Sequence, residues 1–301
     1  MNGQAAHGLP VRDGVSPSCV GLPPGDWPTI TDFLVQRFPA IARDTWLQRM
    51  RDGLVADEFG AAVTAERPYR GHMRVYYYRA LEDEPRVPFE AQVLYQDEHL
   101  VAADKPHFLP VTPSGHYVQE TLLVRLKNSL GLEGLAPLHR IDRETAGLVL
   151  FSVKPAERDA YQALFRRHEV QKHYEAIAPW HGDIAFPLVR QSRIVQGEPF
   201  FRQQEAAGPP NSETRISVLE VLGEQARYAL SPVTGKKHQL RVHMHALGIP
   251  ILNDRIYPPV HPTPDDDYAH PLQLLAKSLR FRDPLTGEER AFHTRLSLLP
   301  G

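Results

Sequence analysis

The chain has 301 residues, 42% of them hydrophobic and 23% charged, which is enough apolar material for one large core or a core with a small accessory domain. No stretch approaches the roughly 18 consecutive apolar residues that span a bilayer, and the N-terminus lacks the basic-then-apolar layout of an export signal. A net charge of −2 argues against long-range attraction to nucleic acid as the sole mode of binding. A single cysteine, Cys19, excludes an internal disulfide and a cysteine-rich zinc site. A cytoplasmic protein with no membrane association, most simply a monomer, is the expectation.

Residues 1–28 are rich in Gly, Pro and Ser and read as a flexible lead-in. Ile30, Phe33, Leu34 and Phe38 recur at helical spacing up to Pro39, and Ile41, Trp46, Leu47 and Met50 mark a second helix ended by Gly53. Short strands are expected near 54–56 and 74–78, so that residues 29–80 form a small helix-helix-hairpin domain. Arg67, Arg70, Arg74 and Arg79 interleave with Tyr69, Tyr76, Tyr77 and Tyr78. That pattern fits phosphate contact with base stacking, and equally a strand packed on a core. A polar, proline-marked linker covers 81–88, and the remainder, 89–301, forms the larger domain.

That larger domain opens with strands at 92–95 and 100–104, followed by a helix at 120–130 with Leu122, Leu123, Leu126 and Leu130 on one stripe. A strand at 148–152, a helix over 155–168 and a strand at 174–178 come next. Residues 179–210 read as irregular, with alternating short strands and loops. Strands at 214–222 and 227–231 precede a helix at 237–246 capped by Gly248, and strands at 273–281 and 290–294 close the chain. Many hairpin-connected strands with few, scattered helices predict an α+β fold on a largely antiparallel mixed sheet.

The run PLHRIDRETAGLVLF at 137–151 sets Asp142 between Arg140 and Arg143, just ahead of a glycine and an apolar strand. A cation beside an acid favours the ionised form, and an ionised acid at a strand entrance can serve as base or nucleophile. A turn acid in surface ion pairs is the plainer reading of an isolated Arg-x-Asp-Arg. On the helix at 237–246, His238, Arg241 and His245 share one face while Leu240, Met244 and Leu247 face the core. His238, His243 and His245 could suggest a metal site, but His243 points away from the other two and no acid stands at ligand spacing, so a structural or RNA-contact role is favoured. The acids Asp265 to Asp267 read as a solvated loop. No GxGxxG, P-loop or HExxH occurs.

Residues 139–148 match H-R-[LI]-D-x-x-T-[SA]-G-[LV] position by position, and this resembles the signature loop of the RluA-type pseudouridine synthases. Residues 172–176 are similar to that family's K-x-Y-x-A strand. Residues 234–243 are similar to its T-G-[RK]-x-H-Q-[IL]-R-x-H segment, and 93–106 to its opening strand pair. Residues 252–257, LNDRIY, resemble its G-D-x-x-Y turn, with Asn253 where glycine is usual; Asn tolerates the left-handed conformation. The helix-helix-hairpin start is similar to a small RNA-binding domain shared with a ribosomal protein, although 57–61 lacks an Asn-Gly turn.

The resemblance implies isomerisation of uridine in structured RNA around a central RNA-binding cleft, with no metal and no cofactor. It implies catalytic roles for Asp142, Tyr174 and Arg241: a carboxylate at the sugar, a stacking platform with a hydroxyl, and an ion-pair partner for the carboxylate. It implies RNA contacts from Arg140, which would enter the space vacated by the flipped nucleotide, and from His139, Arg143, Lys172, Lys236 and His238. Ribosomal RNA is expected ahead of transfer RNA. The rivals are a non-catalytic RNA-binding protein on the same fold and a metal-dependent hydrolase, the latter separable by its sensitivity to a chelator.

Overall fold

The computed structural model describes residues 9–79, 84–115, 117–258 and 267–298. The first eight residues of the expected lead-in, most of the acidic start of the 81–88 linker, and Asp265 and Asp266 of the acidic triple lie outside the described residues. The chain divides into two compact units. The first is Met1–Glu84 with Ser114–Gln119 and Val124–Glu133, and the second holds the rest.

In the first unit, β1 (Ser18–Gly21), α1 (Ile30–Arg37), α2 (Arg43–Arg51), β2 (Val55–Asp57) and β3 (Arg74–Tyr77) follow in order. The helices and the β2–β3 pair stand where apolar spacing placed them. Thr29 and Asp32 cap α1 reciprocally, each side chain accepting the other's backbone N–H at 3.2 and 3.1 Å. The stretch read as a flexible lead-in, by contrast, supplies β1, which pairs antiparallel with β3 and makes a three-stranded sheet ordered β1-β3-β2. Its alternating apolar residues are too few to register as a strand without the partner. Ile30, Leu34, Trp46, Val55 and Val75 form a fully buried core. Tyr76, Tyr77 and Tyr78 are buried as well, and Tyr78 donates its hydroxyl to the Pro10 carbonyl at 2.6 Å. The tyrosine run is therefore core packing, not a stacking surface, and Arg67 among its arginines is paired with Asp57 at 2.6 Å.

The other elements are β4 (Gln92–Gln96), β5 (Leu100–Lys105), α3 (Leu122–Leu130), β6 (Ala136–Pro137), β7 (Ala146–Ser152), α4 (Arg158–Arg166), β8 (Gln171–Pro179), β9 (Leu188–Gln196) and β10 (Gln203–Ala206). They continue with β11 (Ser212–Leu222), β12 (Gln225–Pro232), α5 (Gln239–Ala246), β13 (Leu274–Arg282) and β14 (Glu289–His293). An 11-stranded sheet runs β10-β9-β11-β12-β8-β13-β7-β5-β4, with β14 on β13 and β6 on β7. Its pairings are antiparallel except for β7 beside β13. This is the α+β class with a mixed, largely antiparallel sheet.

Residues 179–210, read as irregular, contain a nine-residue strand and its hairpin partner, with Gln203 to Ala206 opposite Gln196 to Arg193. Burial alternates along β9, but its sequence, two apolar pairs flanking four polar residues, does not, so the segment presents neither an alternating pattern nor an apolar run to mark it. β5 and β7 are buried along their whole length; the apolar runs 100–103 and 146–151 require this, while Asp104 and Lys105 at the end of β5 are buried with hydrogen-bond partners. Gly147, where β7 meets β13, has φ +112°, and a Cβ there would stand 2.3 Å from the Ala276 carbonyl oxygen. Only glycine allows that approach. Asn253 adopts φ 63°, as its place in the 252–257 turn led us to expect.

Candidate active site

Asp142 lies in the loop between β6 and β7, and the second unit fastens that loop from below. Lys105, at the end of β5 and 0% exposed, donates Nζ to the carbonyls of Pro106 and Arg143, both at 2.9 Å. His107 Nδ1 donates to the Glu144 carbonyl at 2.6 Å, and Thr145 donates its backbone N–H to the Asp142 carbonyl at 3.2 Å. Burial pushes the Lys105 ammonium down to about 7 and the His107 imidazole down to about 4, against the pull of Glu144.

Arg241, on α5 and 1% exposed, reaches this loop with one nitrogen and is gripped from behind by another residue. Its Nη1 donates to Asp142 Oδ2 at 3.2 Å. Its Nε and Nη2 donate to the two oxygens of Asp254 at 2.7 Å each, the bidentate geometry that a planar guanidinium favours. Burial alone would lower the pKa of Arg241, but the hydrogen bonds and charge of Asp254, then Asp142 and Glu144, raise it. Asp254 also accepts the N–H groups of Ile256 and Tyr257 at 2.9 and 3.0 Å. Arg241 is thus a fixed cation, aimed at Asp142 by a carboxylate that is itself fixed by the 252–257 turn.

Burial opposes the charged form of Asp142, yet the imidazole of His238 facing Oδ1 and the cations Arg241 and Lys105 together hold its carboxyl below the usual carboxylate range. The groups that keep it ionised therefore come from two distant segments, the start of α5 and the end of β5. They do not come from the sequence neighbours, as we had expected: Arg143 pairs with Glu144 at 3.2 Å, and Arg140 is exposed.

Tyr174 stands on β8 opposite Leu230 of β12 and Ala276 of β13. Burial, and then the charge of Asp142, raise its hydroxyl pKa, so the phenol stays protonated. Asp142, Tyr174 and Arg241 are thus brought into one electrostatic neighbourhood from a loop, a strand and a helix.

The expected RNA contacts divide. Arg140 and Lys236 are exposed and remain available. Lys172 is anchored, donating Nζ to the Thr234 carbonyl at 2.8 Å, with its pKa lowered by burial to about 8. His139 is structural rather than RNA-facing. Its Nε2 accepts the Leu150 N–H at 3.1 Å, its ring stacks on Phe165 at 4.9 Å, and burial pushes its pKa down to about 3. The side chain of His238 is only 8% exposed and its Nε2 faces Asp142 Oδ1 at 3.9 Å. His243, 0% exposed, meets the hydroxyls of Thr214, Ser192 and Ser212 at 2.9 to 3.0 Å, a structural histidine and not a ligand.

Sequence reading had assigned no role to Lys105, His107, Asp254 or Tyr257. Lys105 carried a signal, a lysine continuing an apolar strand directly into a proline. Asp254 and Tyr257 lay in a segment noted only as a turn.

The family model described as RNA pseudouridylate synthase matches residues 99–246. A dual-specificity RNA pseudouridine synthase RluA of Haemophilus influenzae is 32% identical over 225 residues, covering 71% of this chain and 97% of the relative. An uncharacterised RNA pseudouridine synthase of Synechocystis is 32% identical, covering 76% of this chain and 79% of the relative. Among solved structures, human RNA pseudouridylate synthase domain containing 4 superposes with a TM-score of 0.54 at 26% identity, covering 69% of this chain and 88% of that one.

Proposed function

We propose that this chain, which belongs to the RluA-type RNA pseudouridine synthases and is an isomerase of that family, works through Asp142 as the carboxylate that acts at the ribose. The observation that carries the assignment is the hydrogen bond from buried Arg241 to Asp142 Oδ2. It holds the acid ionised and leaves Oδ1 without a hydrogen-bond donor among the described residues. Conversion of uridine to pseudouridine breaks the bond from ribose carbon 1′ to uracil nitrogen 1, turns the ring, and joins carbon 1′ to carbon 5, with the carbon 5 proton lost and nitrogen 1 protonated. Attack on the ribose and removal of a ribose proton both require an ionised carboxylate at that carbon.

Tyr174 supplies a ring for uracil to stack on. Its protonated hydroxyl suits it to give or relay a proton during ring rearrangement and not to act as a phenolate base. Exposed Arg140 fits the space left by an unstacked nucleotide, and Lys236 suits a phosphate contact. A ribosomal uridine is the proposed target, on the strength of the N-terminal helix-helix-strand layout, with a transfer-RNA uridine as the alternative. Incubating both transcripts with the enzyme and mapping pseudouridines separates the two.

Asp142→Asn preserves shape and removes charge. It should abolish pseudouridine formation while RNA affinity and melting temperature stay near those of the parent. Product formed at close to the parental rate would overturn the assignment.

A further inference from the structure

His238 precedes α5 in the left-handed conformation, φ 56° and ψ 17°, an uncommon state for a residue with a Cβ. Strained residues of this kind are held where the surroundings fix them. Here the fixing contacts can be followed atom by atom. The backbone N–H of Gln203, at the start of β10, donates to the Tyr257 hydroxyl oxygen at 2.8 Å. That hydroxyl lies 3.0 Å from His238 Nδ1, and Tyr257 is 2% exposed. A phenolic oxygen already accepting one N–H has its own proton to place. Nδ1 is the acceptor within reach, so the Tyr257 hydroxyl donates to Nδ1. A neutral imidazole that accepts at Nδ1 carries its proton at Nε2, and Nε2 is the atom facing Asp142 Oδ1 at 3.9 Å.

We infer that His238 is a positioning residue for the carboxylate, its Nε2–H held toward Asp142 Oδ1 by a hydrogen-bond line that begins at the Gln203 backbone and passes through the Tyr257 hydroxyl. Arg241 thereby fixes one oxygen of Asp142 while His238 stands over the other, the oxygen left for chemistry. The 3.9 Å separation is long for a hydrogen bond, as catalytic contacts are before substrate closes the site. A movement of about 1 Å brings it within range. The arrangement also ties the β9–β10 hairpin to the catalytic loop, since Gln203 begins the line. Charged groups on the neighbouring segments are Arg241 and Lys237 from α5 and its approach, and Glu144 from the loop.

This inference rests on Asp142 being the working carboxylate, and one set of variants separates the two claims. RNA carrying tritium at uracil carbon 5 releases it when the new bond forms, so single-turnover tritium release reads chemistry and titration of the same RNA reads affinity. The full chain is compared with Asp142→Asn, His238→Asn, His238→Gln and Tyr257→Phe. Asn places its polar end near Nδ1 and tolerates the left-handed backbone, keeping the Tyr257 contact and losing the donor to Asp142. Turnover of His238→Asn should fall roughly 10- to 100-fold, the usual effect of removing a residue that orients a reactive group, with affinity unchanged. Gln places its amide near Nε2, restores the donor and loses only the Tyr257 contact. It and Tyr257→Phe should stay within about 5-fold of the parent, the effect of one ordinary hydrogen bond. Near-parental turnover in His238→Asn overturns the inference, as does equal impairment of the Asn and Gln variants. A loss of affinity with turnover intact also overturns it and returns His238 to an RNA contact. An active Asp142→Asn defeats the reading of the site itself.

Discussion

Removal of the charge on Asp254 tests whether the active site is built on a buried ion pair. Its side chain and that of Arg241 are 0% and 1% exposed, and two hydrogen bonds of 2.7 Å join them. Asp254→Asn keeps the volume and one acceptor oxygen for the Ile256 and Tyr257 N–H groups, so the perturbation falls on charge. Breaking one half of a buried pair costs about 3–5 kcal/mol, because the remaining ion has neither water nor partner. In a chain of this size each kcal/mol lowers the melting temperature by about 1.6 °C, which predicts a fall of roughly 5–8 °C. Arg241 keeps Asp142 and, at 3.9 Å, Glu144, which places the expected cost toward the lower end of that range. The assay is thermal and urea unfolding of parent, Asp254→Asn, Asp254→Leu, Arg241→Met and the double variant Asp254→Leu with Arg241→Met. If the penalty is a stranded charge, the double variant recovers much of the loss of the single variants. A change below about 1 kcal/mol in Asp254→Asn would refute the reasoning, since that is the scale of an exposed pair. A double variant whose loss equals the sum of the single losses would refute it equally.

Tyr174→Phe keeps the ring and removes the hydroxyl, so turnover on bound RNA should fall steeply with affinity little changed. Loss of affinity at unchanged turnover would reduce Tyr174 to a positioning residue. Acid should destabilise the protein through its neutral histidines, half-buried His139 and His107 and fully buried His243, whose pKa values are pushed down to about 3, 4 and 4. Between the unfolded value near 6.5 and these folded values the unfolded chain binds more protons, so stability drops as pH falls. Fully buried His243 contributes up to about 1.4 kcal/mol per pH unit. Melting temperature measured from pH 7 to 4.5 should decline less steeply in His243→Gln than in the parent, and identical slopes would contradict the assignment.

Local pattern was sufficient for much of the fold. Apolar spacing located α1, α2, α4 and α5 to within a few residues, and the apolar runs at 100–103 and 146–151 marked the strands β5 and β7, because these signals are properties of contiguous residues. It was not sufficient for β1, β9 and β10, whose alternation is weak and whose hydrogen bonds are satisfied only by partners elsewhere in the chain. The tyrosines of 76–78 had two consistent readings, and burial decided for the core, with Tyr77 packed on Phe38 and Trp46 and Tyr78 against Pro10 and Arg12. Val15, Val118 and Val124 form one buried cluster, so the first unit includes residues far beyond the 81–88 linker, which no composition shift signals.

At the site the division is similar. Asp142, Tyr174 and Arg241 could be named from motifs, since each motif is a short run. What keeps Asp142 ionised could not. Arg140 and Arg143 are its neighbours in sequence, but backbone direction turns one to solvent and pairs the other with Glu144. Arg241, His238 and Lys105 arrive from segments 99, 96 and 37 positions away along the chain. Sequence by itself determined which chemical groups the protein has and the local elements that carry them. Only the tertiary structure decided which charges meet in a low-dielectric interior, because Coulomb interaction and desolvation depend on distance through space and not along the chain.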